Sequence, residues 1–153
     1  MLTAKGEIDE ALGHYKRALA ISEKAAQSDP GSDLSQDDLA YCHTKIATAL
    51  LARGKVSGAL RSVRAGHAVR ARLSRSHPDN VAYRYAVAES HADVAAVLTR
   101  QGEEAEALAE LRKAKAIVGA LLANAPDDAK FRTGLKTLND EISKLDKAET
   151  AGP

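Results

Sequence analysis

The chain has 153 residues, 44% of them hydrophobic and 28% charged, with a net charge of +1, a balance that excludes wholesale disorder. A single cysteine, Cys42, excludes an internal disulfide framework and a multi-cysteine metal site, and no apolar run approaches the roughly 18 residues a membrane span needs. Aromatic residues make up only 3% and alanine accounts for 31 positions, so packing must rely on small side chains that let helices approach closely. A soluble, cytoplasmic helical protein is the expectation.

Taken in chain order, helices are predicted over about 7–28, 36–52, 55–76, 80–101, 103–124 and 128–146. Ser35 followed by Asp38 reads as a capping-box-like start for the second. The third shows Val56, Ala59, Leu60, Val63, Val69 and Leu73 at helical period and should end near His77-Pro78, because the residue before proline disfavours the α region. The fourth shows Tyr83, Val87, Val94, Ala95 and Leu98 and runs to Gly102, a candidate left-handed cap. No stretch alternates with period two over a useful length, so no sheet is expected. The tail 148–153 is expected to be disordered.

Glycines recur at Gly6, Gly54 and Gly102, prolines at Pro30, Pro78 and Pro126, and Ala-Leu pairs at Ala11, Ala59 and Ala107. All three sets step by 48 residues, which predicts an internal repeat. The units run to 30, over 31–78 and over 79–126, followed by a closing helix at 128–146. The first unit lacks most of its first helix, and its remaining helix would present Leu12, Tyr15, Leu19 and Ile21 or their neighbours for an upstream repeat or a second copy to cover. The closing helix carries Lys136, Asp140, Glu141, Lys144 and Lys147, the polar outer face a terminal cap requires.

Gly54, Ala59, Val63, Gly66 and Pro78, preceded by Ile46, Ala47 and Leu50, resemble the tetratricopeptide repeat (TPR): a small residue in each helix, a turn glycine and a closing proline. The family's usual period is about 34 residues, so the resemblance is to a long-helix variant. Its extra residues amount to about two turns per helix, which returns the apolar face to nearly the same direction. His43 and His91 stand where the family usually carries an aromatic. The resemblance implies an all-α, right-handed helical-repeat solenoid forming one domain over 1–147. It also implies a non-catalytic scaffold that recognises protein or peptide, or another domain of its own chain within a larger bacterial multi-domain protein.

Family ligands usually lie along the concave side formed by first helices. Carried over, that side is Tyr41, Thr44, Thr48 and Leu51 in one unit, then Glu89, Ala92, Ala96 and Thr99 in the next. The Lys/Asn clamp for C-terminal carboxylates is missing, since its central positions hold Thr44 and Thr48, or Ala92 and Ala96. Recognition of a carboxylate tail is therefore not expected.

Charge is segregated along the chain. Residues 53–78 hold seven basic residues and no acid, while 1–52 and 79–153 are each net −3. At 100° per residue, Arg61, Arg64, Arg72 and Arg75 fall within about 80° on one helix face, with Arg70 roughly opposite. The stripe is either a solvated face balanced by neighbouring acids or an anion-facing patch for an acidic protein, a phosphate group or nucleic acid. The near-zero net charge and the absence of aromatics between the arginines count against nucleic acid.

Catalytic and metal constellations are weak. Cys42 and His43 point about 100° apart on a helix, so Cys42 reads as a packed small residue. His43 and His91 have no supporting carboxylate in sequence, a poor basis for zinc. Glu103, Glu104, Glu106 and Glu110 open a helix, where acids favour the dipole. No cofactor is expected. The sequence points to Arg61, Arg64, Arg72 and Arg75, with Tyr41, Thr44, Thr48 and Glu89, as partner-contacting residues. A homo-oligomerisation module built on the N-terminal half-repeat is the second reading, and an anionic-ligand or nucleic-acid-binding accessory using the arginines the third.

Overall fold

A computed structural model describes residues 4–150. Among them there are six helices and no strand: α1 (Ala4–Ser28), α2 (Asp33–Ala52), α3 (Val56–Ser76), α4 (Val81–Gln101), α5 (Glu104–Asn124) and α6 (Ala129–Thr150). Among the described residues the fold is all-α. The helices gather into two compact units, residues 1–76 and 77–153.

In the first unit α2 packs against both α1 and α3. Helix α2 starts one turn earlier than Ser35 implies. The cap is Ser32, whose hydroxyl accepts the Ser35 amide at 3.3 Å, so Ser35 lies inside the first turn. Gly54, with φ 69°, carries the chain out of α2 in the left-handed region that only glycine enters cheaply. Ala40 and Ala59 are wholly buried, joined by Ile46, Ala47, Val63 and Leu73. Cys42 is also buried, with its sulfur 3.9 Å from the Ser22 hydroxyl. At the open end of α2 the Arg53 guanidinium lies 2.9 Å from the Asp9 carboxylate of α1.

In the second unit α5 packs against both α4 and α6. Helix α4 is capped by Asn80, whose side-chain oxygen accepts the Tyr83 amide at 3.1 Å, and is closed by Gly102 at φ 85°. Leu98, Val97 and Val118 are its largest fully buried apolar side chains, and Ala107 and Ala114 show no exposed surface. Helix α6 buries Phe131, Leu138 and Ile142 and turns Lys136, Asp140, Glu141 and Lys144 outward. It continues to Thr150, so residues 148–150 are helical, where the sequence predicts a disordered tail; 151–153 lie outside the described residues. Exposed ion pairs join Lys136 to Asp140, one turn apart, and Arg112 of α5 to Asp146 of α6.

Among the described residues no helix is long and apolar enough to cross a membrane.

Candidate functional site

The second unit contains a cleft of about 550 Å³ between α4 and α6. Helical spacing brings Tyr85, Ala88, Glu89 and Ala92 onto the α4 wall. The α6 wall begins where Asp128 caps the helix by accepting the Phe131 amide at 3.0 Å, and presents Lys130, Thr133, Gly134 and Glu141. Val118 of α5 forms the floor. The walls stand close because residue 134 has no side chain: a Cβ there would lie 2.8 Å from the Tyr85 hydroxyl.

Tyr85 organises the cleft. Its ring is buried, tilted 33° against Phe131 at a centroid distance of 5.3 Å, with the Lys130 ammonium 4.1 Å from its own centroid. Burial, then the nearby carboxylates of Glu89 and Asp128, push the phenol above its ordinary value. It therefore stays protonated at neutral pH and can donate or accept a hydrogen bond. Glu89 and Glu141 are exposed on the rim. The surface offers an apolar trough of small residues, one phenol, two carboxylates and the Lys130 ammonium.

The remaining residues that the sequence points to as partner-contacting lie in the first unit. Tyr41 is 53% exposed on α2, with the Lys45 ammonium 5.2 Å from its ring centroid. Thr44 and Thr48 donate to the carbonyls of Ala40 and Thr44 one turn back, so both hydroxyls are bonded to their own helix. Arg61, Arg64, Arg72 and Arg75 are all exposed on α3. Arg72 additionally donates to the side-chain oxygen of Gln36, a buried residue of α2. That contact gives one member of the stripe a packing role, since removing it leaves a buried amide oxygen without its donor.

Most of the cleft was missed in sequence, including Tyr85, Lys130, Gly134 and Glu141. The available signal was Gly134, a glycine inside a helical pattern that asks for a packing reason.

His91 has the supporting carboxylate that its sequence neighbourhood did not reveal. Glu110 of α5 places Oε2 at 2.6 Å from His91 Nδ1, and Lys113 donates to its other oxygen at 2.6 Å. Burial alone raises the Glu110 carboxyl, but the hydrogen bonds and charges of Lys113 and His91 outweigh it and hold the group below its ordinary 4.5. A carboxyl depressed on folding stabilises the protein above its unfolded value and loses that contribution as pH falls through the folded one. Glu110→Gln is therefore expected to cost about 1–2 kcal/mol at neutral pH. The gap from wild type should shrink on acidification below pH 4.5, measured by urea unfolding across pH. His43, in the first unit, has no such carboxylate hydrogen bond; burial lowers its pKa, against the opposing charge of Glu23. Among the described residues no group of three or more His, Cys, Asp or Glu could hold a metal ion.

A family model described as tetratricopeptide repeat matches residues 1–30, which span α1 and end at the Pro30 turn. Over those residues the chain is similar to a tetratricopeptide repeat. Repeats of this kind generally mediate protein–protein interaction and are generally not catalysts. Comparison with curated proteins returns no match.

Proposed function

We propose that this TPR-like chain is a non-catalytic, cytoplasmic interaction scaffold that holds a polypeptide segment in the cleft between α4 and α6. The observation that carries the reading is the cleft itself: an apolar trough about 550 Å³ in volume, with Tyr85 at its centre and Glu89 and Glu141 on the rim. Two carboxylates beside a buried phenol suit a segment bearing a basic side chain next to a small apolar one. The segment comes from a partner protein or from another domain of a longer bacterial chain. Tyr41, Thr44 and Thr48 on α2 are a separate candidate contact within the first unit, and the α3 arginines offer a further surface there for acidic groups.

The test is a nuclease-treated pull-down read by mass spectrometry, comparing wild type with Glu89→Lys/Glu141→Lys and with Arg61→Glu/Arg64→Glu/Arg75→Glu. Arg72 is left intact because of its bond to Gln36. Proteins enriched by wild type should be lost with the cleft variant. An unchanged set with that variant would remove the cleft from the reading, and loss only with the arginine variant would move the contact to α3.

Self-association is the second reading, favoured by Ile21 and Leu34, exposed at 70% and 73% in the first unit. Light scattering over a wide concentration range should then show mass rising with concentration, and Ile21→Asp/Leu34→Asp should abolish the rise. A constant monomer mass removes this alternative.

A further inference from the structure

The first unit holds a second cleft of about 540 Å³, and its lining contains no carboxylate. Lys16 of α1, Lys55 at the start of α3 and Arg61 of α3 line it, above an apolar base that includes Leu19, Ile46 and Leu50. All three cations are exposed, and none is ion-paired with another described residue. Three like charges around one recess repel each other when it is empty, and an entering anion relieves that repulsion.

Gly58 sharpens the site. A Cβ at this position would lie 3.3 Å from Leu50 Cδ1 and 3.8 Å from an Arg61 guanidinium nitrogen. The guanidinium thus folds back over the first turn of its own helix, a turn that contains no acidic residue. A cation above the positive end of a helix is unfavourably placed unless an anion shares the space. Half-buried His43, kept neutral by burial, adds an imidazole to the wall.

We propose that this recess binds a phosphate monoester carrying an apolar or aromatic group. A doubly charged, three-oxygen head can engage Lys16, Lys55 and Arg61 together, whereas a single carboxylate leaves most of their charge unmatched. The apolar base takes the attached group. The site is independent of the cleft between α4 and α6 and stands or falls separately from it.

Isothermal titration of the whole chain tests this with four probes: inorganic phosphate, phenyl phosphate, benzoate and a phosphotyrosine peptide. Phenyl phosphate should bind at least tenfold tighter than inorganic phosphate or benzoate, and Lys16→Gln/Lys55→Gln/Arg61→Gln should weaken it at least tenfold. Gly58→Asp supplies the missing anion from within the chain, at a site where only the flexible end of Leu50 must give. It should raise the melting temperature while abolishing phenyl phosphate binding, a pairing that loss of structure cannot produce. A phosphopeptide binding more tightly than phenyl phosphate supports the site and identifies a phosphorylated polypeptide as its ligand; a weaker one supports it with a small phosphorylated molecule instead. Absence of binding, equal affinity for benzoate, or full retention in the triple-glutamine variant overturns the proposal.

Discussion

Leu98→Ala is expected to destabilise the second unit by about 3 kcal/mol. Leu98 is 1% exposed and sits with Val94, Ala95 and Val97 in the buried part of α4. Helix α5, which packs against α4, adds Ala107 and Ala114 to the same unit's core, both at zero exposure. Alanine has no rotamers with which to fill a void, so the cavity stays open and its cost adds to the lost transfer energy. Urea unfolding followed by far-ultraviolet circular dichroism measures the change. Ile21→Ala provides the contrast: at 70% exposure, it should shift stability by less than about 0.5 kcal/mol. Equal losses in the two variants would contradict the core assignment.

Helix positions were legible because their punctuation is local. Gly102 and the His77-Pro78 step act within a few residues of where they stand, and the predicted helices and those observed share most of their length. The start of α2 was less legible. Ser32 and Ser35 are both competent caps, and the turn at Pro30-Gly31 leaves Ser32 as the one preceding the first helical residue. Exposure of the arginine stripe followed from helical period alone. The bond from Arg72 to Gln36 did not, because it depends on how α3 sits against α2. The cleft was half legible. Glu89 was singled out, but its wall-mates Lys130, Gly134 and Glu141 lie on α6, where their charge reads as a solvated cap. Tyr85 was hidden for the same reason: one tyrosine in a helix carries no mark that a glycine on a distant segment will admit its hydroxyl.

Two helical glycines, Gly66 in α3 and Gly119 in α5, show what small residues do in this chain, and their substitutions should move stability in opposite directions. A Cβ at Gly66 would lie 3.2 Å from the Ala40 carbonyl oxygen and 3.2 Å from His43 Cβ, both on α2. Neither atom is the free end of a flexible side chain, so any side chain at position 66 must push the two helices apart. Gly66→Leu is expected to cost about 3 kcal/mol, because separation also breaks the packing of Ala40 and Ala59. At Gly119 an added Cβ meets nothing within 4 Å. Gly119→Ala should therefore gain roughly 0.5–1 kcal/mol from helix propensity and reduced freedom of the unfolded chain. Thermal and urea unfolding of the two variants check both signs. If Gly66→Leu matched wild type, the close approach of α2 and α3 would not be a determinant of the fold. If Gly119→Ala were destabilising, the open space around Gly119 would be contradicted. The contrast follows from composition: in a chain with 31 alanines and few aromatics, helix spacing is set by the smallest side chain at each crossing.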